Sequence, residues 1–234
     1  MRLLVTRPQP DADRSAEALR QRGHIVTVAP VLAVEIIANA AWGEGPYAAV
    51  VMTSATAARV IASHRRRDEL AGLTVFTVGR TTAAAARAAG FSTIASANGG
   101  AADLVRLIAA KLGQGGARLL YLAAEQRATD IAAALEPHGL GVETAVIYRT
   151  IVNPLLAQEL RDALSDRLDG VLHYSRRSAQ TFLTGARAAG CIEAALCCTH
   201  YCLSGEVAAP LRAAGATAIK VAAQPDEAAL LALL

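Results

Sequence analysis

Short apolar runs alternate along this chain with helical stretches of about 10 to 12 residues, the rhythm of strand followed by helix. The runs predict strands at 2–6, 24–30, 47–53, 74–78, 118–122, 142–147, 170–174 and 196–203. Helices are predicted to begin near Asp11, Thr56, Thr81, Ala102, Thr129, Pro154, Ser178, Ser204 and Asp226, mostly behind a Ser, Thr or Asp that can cap free N–H groups, or at a Pro suited to a first helical position. Gly23, Gly90, Gly139 and Gly215 supply the stops. Strands apolar on successive residues are buried on both faces, so the fold class is α/β with parallel sheets covered by helices.

The pattern also repeats, in order. LLVTRPQPDADRSAEALRQRGHIV, from Leu3, lines up on LLYLAAEQRATDIAAALEPHGLGV, from Leu119; AAVVMTSATAARVI, from Ala48, lines up on DGVLHYSRRSAQTF, from Asp169; TTAAAARAAGFSTI, from Thr81, lines up on EVAAPLRAAGATAI, from Glu206. Alanine matches count for little in so alanine-rich a chain, but the Leu, Gly, Ser and Arg coincidences point to a duplication. A length of 234 residues suits two lobes of about 100 residues each.

Composition narrows the class. No apolar run is long enough to span a membrane, and the N-terminal MRLLVTRPQP is unlike a secretory leader, so a cytoplasmic protein is expected. A net charge of +3, one basic triplet (Arg65, Arg66 and Arg67), three Phe and one Trp disfavour nucleic acid. Cys191, Cys197, Cys198 and Cys202, with His200 among them, read as small buried residues of one strand rather than a zinc site. The five histidines are scattered without a metal-ligand spacing.

Ligands of open parallel sheets collect beyond the carboxyl ends of the strands. The residues there are Thr6 and Arg7; Thr53 and Ser54; Gly79, Arg80, Thr81 and Thr82; Tyr174, Ser175, Arg176 and Arg177; and Ser204 with Gly205. Hydroxyls, exposed N–H groups and arginines all favour carboxylate or phosphate, although each Ser and Thr also reads as an ordinary helix cap and Arg176 and Arg177 as a solvated loop. Tyr148 reads either as core or as a phenol able to donate a proton. Phosphate loops, dinucleotide fingerprints, zinc motifs and nucleophile elbows do not occur, and the DAD at Asp11 reads as a helix start.

VTRP, VVMTSATAA, VGRTTAAAARAAGF, VETAVIYRT and PDEAALLALL resemble, in this order and spacing, uroporphyrinogen-III synthases. The resemblance implies two flavodoxin-like lobes, residues 1–33 plus 153–234 and residues 38–148, joined by a two-stranded linker near 34–37 and 149–152, with the N-terminal segment packed into the C-terminal lobe. It implies a cofactor-free, metal-free lyase that closes hydroxymethylbilane, held between the lobes, with loss of water and inversion of the terminal pyrrole in haem biosynthesis. It also implies transient contact with the enzyme that makes the bilane; a monomer is expected. By motif position Tyr148 carries over as the acid, and Thr53, Ser54, Gly79, Thr81 and Ser175 as ligands of the substrate's eight carboxylates. The chain departs from the family at Ser204, Gly205, Glu206 and Val207, where a Gly-Pro-Thr-Thr turn is usual, and at Arg176, where proline is. Arg176 and Arg177 are expected to replace the missing contacts, with Arg7, Arg80 and Ser204 as further candidates. The competing expectations are a bilobed binding protein that clamps a small anion without chemistry, and a glycosyl- or nucleotidyl-transferase, which should show a phosphate loop or an Asp-x-Asp metal site.

Overall fold

The computed structural model describes residues 1–113, 115–127 and 129–234. The chain opens with β1 (Arg2–Val5), α1 (Asp11–Arg20), β2 (Ile25–Val28) and β3 (Leu32–Ile36). It continues through β4 (Ala49–Met52), α2 (Ala55–Ala62), β5 (Thr74–Thr77), α3 (Arg80–Ala88), β6 (Ile94–Ser96), α4 (Ala101–Leu112), β7 (Arg118–Ala124), α5 (Ile131–Leu135) and β8 (Gly141–Val152). It ends with α6 (Leu156–Ser165), β9 (Gly170–His173), α7 (Arg176–Ala188), α8 (Ile192–Cys197), β10 (Thr199–Cys202), α9 (Gly205–Ala213), β11 (Ile219–Val221) and α10 (Glu227–Leu231). Two compact units result: Met1–Val34 with Ile151–Leu234, and Glu35–Thr150.

The first unit holds a sheet of order β11-β10-β9-β1-β2, parallel between every neighbouring pair. Side chains alternate across it. Leu3, Val5 and Leu172 meet Ala16 and Leu19 of α1 and Leu230 and Leu231 of α10 on one face, while Leu4 and Val171 meet Leu160, Phe182 and Leu211 of α6, α7 and α9 on the other. Helices α6 and α7 approach closely because Gly185 has no side chain: a Cβ there would sit 2.7 Å from the Leu156 Cδ2.

The second unit holds the order β8-β7-β4-β5-β6, again parallel, with β3 beside β8. Ala49, Val51, Leu119 and Tyr121 bury one face under Leu104 and Ile108 of α4 and Ile131 and Leu135 of α5; α2 and α3 pack against each other, and α2 against β4. The internal echoes pair β1 with β7, β2 with β8, β4 with β9 and β6 with β11. Written in those equivalents the two sheets have the same spatial order. In the second unit β7 and β8, the counterparts of β1 and β2 in the sequence echoes, come last along the chain instead of first.

The structure corrects the sequence reading in several places. The strand expected at 196–203 is instead α8 followed by the short β10, so Cys197 ends a helix and is exposed, Cys191 is half-buried, and only Cys198 and Cys202 are buried as expected; Ala194, Ala195 and Leu196 are good helix formers. Helix α7 begins at Arg176, so Arg176 and Arg177 belong to its first turn and not to a loop. The strand expected at 142–147 runs on to Val152. Two of the histidines read as scattered, His173 and His200, come together on β9 and β10, fully buried, with Nε2 of the first 3.0 Å from Nδ1 of the second. Among the described residues no group of three His, Cys, Asp or Glu side chains could hold a metal.

Candidate functional site

In the second unit the strand order reverses at β4 and β7, whose following helices, α2 and α5, cover opposite faces. Such a reversal leaves a crevice at the carboxyl ends of the two strands. A pocket of about 250 Å³ lies there, lined by Thr53 and Ser54 after β4, Tyr121, Leu122 and Ala124 of β7, Gln126, Arg127 and Thr129 of the following loop, and Tyr148 of β8.

Its polar wall is built from two hydroxyl and phenol partnerships. Thr53 Oγ1 lies 2.8 Å from the Tyr121 phenol. Ser54 Oγ accepts the Thr56 N–H at 3.0 Å, capping α2, and also meets the Tyr148 phenol. Tyr148 is 6% exposed. Burial pushes its phenol above the ordinary value of 10.0, the Ser54 contact pulls it back, and neighbouring Tyr121 raises it again. It therefore stays protonated at neutral pH and is available as a proton donor.

A register irregularity puts Tyr148 there. Ala123 pairs with Val146, but Ala124 pairs with Tyr148, so Ile147 is the extra residue of a bulge on β8. The alternation breaks, Ile147 and Tyr148 are both buried, and the phenol turns to the pocket. The Glu125 N–H bonds the Tyr148 carbonyl at 2.9 Å, and Gln126 Oε1 accepts the Thr150 N–H at 3.3 Å, so the loop after β7 is stitched to the bulged strand.

Of the sequence candidates, Thr53, Ser54 and Tyr148 share this pocket. Gly79 and Arg80 line a separate hollow of about 500 Å³ with Asn98 and Gly99, beyond β5 and β6. Thr81 is exposed in the first turn of α3. In the first unit Ser175 and Ser204 cap α7 and α9, accepting N–H groups of Ser178 and Val207. Arg176 is exposed and lines a groove with Gln180, Arg187 and residues of α9; Arg177 is exposed beside it. Arg7 is held internally: its Nη1 lies 3.0 Å from Glu227 Oε1, its Nη2 3.3 Å from Asp11 Oδ2, and its guanidinium stacks 4.3 Å above the Tyr174 ring. At β1 and β9, where the first unit's strand order reverses, the anion position is thus taken by Glu227 of α10.

Sequence reading missed Tyr121, Gln126 and Arg127. Tyr121 is hidden in an unbroken apolar strand, LLYL. The available signal is the first echo: it aligns Glu125 and Gln126 with Gln9 and Pro10 of the loop after β1, and Arg127 with Asp11 at the start of α1.

The comparisons with known proteins bear on the same chain. The family model described as uroporphyrinogen-III synthase HemD matches residues 13–232, nearly the whole length. The chain belongs to the uroporphyrinogen-III synthase family. Its reaction is the cofactor-independent, cyclising lyase step of haem biosynthesis that turns hydroxymethylbilane into uroporphyrinogen III. The fold agrees. A uroporphyrinogen-III synthetase from Helicobacter pylori superposes with a TM-score of 0.67 at 16% identity, covering 100% of this chain and 98% of that one. A mutant uroporphyrinogen III synthase from Thermus thermophilus gives a TM-score of 0.54 at 16% identity, covering 100% and 96%. No curated protein sequence matches the chain. Membership of a catalytic family disfavours the anion-clamping alternative. Among the described residues no helix is long and apolar enough to cross a membrane.

Proposed function

We propose that the pocket at the β4 and β7 carboxyl ends is where the hydroxymethyl-bearing pyrrole of the bilane is activated. The observation that supports this is the convergence of Thr53, Ser54, Tyr121 and Tyr148 on one pocket. Tyr148 donates its phenolic proton to the hydroxymethyl oxygen, which departs as water and leaves an electrophilic carbon. The terminal pyrrole attacks it through its substituted carbon to give a spiro intermediate; the bond from that carbon to its original methylene bridge then breaks, the released methylene is attacked by the ring's free α-carbon, and the proton lost there returns to the Tyr148 phenolate, leaving the ring inverted. Because the bilane closes unaided to the symmetric isomer, holding the chain bent is most of the catalysis. The N–H and hydroxyl donors of Gly79, Thr81, Ser175 and Ser204, with Arg80, Arg176 and Arg177, are the proposed holders of the substrate's carboxylates, while Arg7, paired with Glu227, is left out of that set.

The same reading takes the two units as flavodoxin-like lobes, 1–33 plus 153–234 and 38–148, joined by two strands near 34–37 and 149–152. It places the enzyme in the cytoplasm, receiving its unstable substrate by transient contact with the enzyme that makes it. The test is to add fresh hydroxymethylbilane to purified protein, oxidise the products and measure the isomer ratio. Excess type III is expected; a ratio equal to that of buffer alone overturns the reading.

A further inference from the structure

We infer that Arg127 is a carboxylate anchor of the pocket, taking an acetate or propionate arm of the pyrrole bound beside Tyr148. This rests on the pocket assignment above. At about 250 Å³ the pocket falls below the range of whole-ligand sites, so it suits one pyrrole with its arms and not a tetrapyrrole. The strand-end wall offers only neutral hydroxyls and phenols. The facing loop brings the one cation that lines the pocket among the described residues, Arg127.

That guanidinium is placed but not neutralised. Its Nη1 donates to the Ala124 carbonyl at 2.9 Å, the residue on the β7 side of the bulge that turns Tyr148 inward. One of five donors is used to fix the side chain, and no carboxylate pairs with the rest among the described residues. Arg7, Arg66, Arg118 and Arg149 show the opposite arrangement, each bonded to a carboxylate of its own unit. A planar fork with free donors beside neutral hydroxyls is selective for a carboxylate. Anchored through Ala124, it sets that carboxylate's place relative to the Tyr148 phenol.

The test uses binding rather than turnover. A pyrrole carrying one acetate and one propionate arm is titrated into the intact protein alongside its dimethyl ester, with chemical shifts or calorimetry as the readout. Wild type should bind the diacid at least fivefold more tightly than the diester; Arg127→Gln should remove most of that preference, and Arg127→Lys should retain part of it. In the synthase assay Arg127→Gln should raise KM about fivefold and leave kcat nearly unchanged. An unaltered diacid preference in Arg127→Gln, with the protein folded by circular dichroism, overturns the inference. Wild type without type III excess overturns the proposed function instead, and the pyrrole titration still decides Arg127.

Discussion

Acidification should weaken the first unit through its two buried imidazoles. His173 and His200 are fully buried and share one hydrogen bond, with the edge of Phe182 packed against His173. Burial holds His173 well below the ordinary value of 6.5, with the facing His200 adding to the effect, and burial brings His200 down to about 4. Both are therefore neutral in the folded protein, whereas an unfolded chain takes up protons from about 6.5 downward. The stabilisation is whole above pH 6.5 and is lost as the pH falls from there through about 4. At about 1.4 kcal/mol per pH unit of unequal proton uptake, His200 alone lowers stability by about 2 kcal/mol between pH 7.5 and 5, and by about 3 kcal/mol below pH 4. The assay is urea unfolding at several pH values, followed by hydrogen-exchange protection of β9 and β10 peptides. His200→Gln should flatten the dependence between pH 5 and 7.5 by that amount, whatever its stability at neutral pH. Identical slopes for wild type and variant would refute the argument.

Tyr148→Phe removes the proposed acid while keeping the ring that fills the bulged strand, so kcat should fall about a hundredfold with KM little changed; full turnover excludes the role. Since the phenol sits above its ordinary value of 10.0, the wild-type rate should decline on its account only above that pH, measurable by stopped-flow mixing. Tyr121→Phe deletes the hydrogen bond to Thr53; a neutral bond worth about 1 kcal/mol predicts roughly a fivefold loss in kcat/KM, and restoration of the rate by Tyr121→His but not by Tyr121→Leu would distinguish positioning from packing. Gly185→Ala drives a methyl to 2.7 Å from Leu156 and should destabilise by about 1 to 3 kcal/mol, read as a lowered thermal midpoint with the isomer ratio unchanged.

What was legible in the sequence was what depends on local pattern. Apolar strands such as Leu3, Leu4 and Val5, the Ser54, Ser175 and Ser204 caps, and the duplicated order of strand and helix all leave marks on neighbouring residues. The pairing of Thr53 with Ser54 was legible for the same reason, since a turn after a buried strand faces the ligand side of a parallel sheet. What was not legible depends on residues far apart. Tyr121 reads as core because an apolar strand does not reveal that one of its ends borders a crevice. The bulge at Ile147 follows from the register of β8 against β7 and has no sequence signature, so the apolar pattern stops where the strand bends. His173 and His200 become partners only once β9 and β10 lie side by side. Arg7 reads as an anion ligand in the sequence because Glu227, its partner, is at the far end of the chain.

The strand order bears on the timing of synthesis. The second unit is continuous from Glu35 to Thr150, so all its strands are synthesised before the Ile151–Leu234 part of the first unit. In the first unit β1 lies between β2 and β9 and waits for β9 to be made: the Arg2 N–H bonds the Asp169 carboxylate, 167 positions later. The second unit can therefore complete its sheet from contiguous chain, whereas β1 cannot gain its β9 neighbour until the third quarter of the chain has been made.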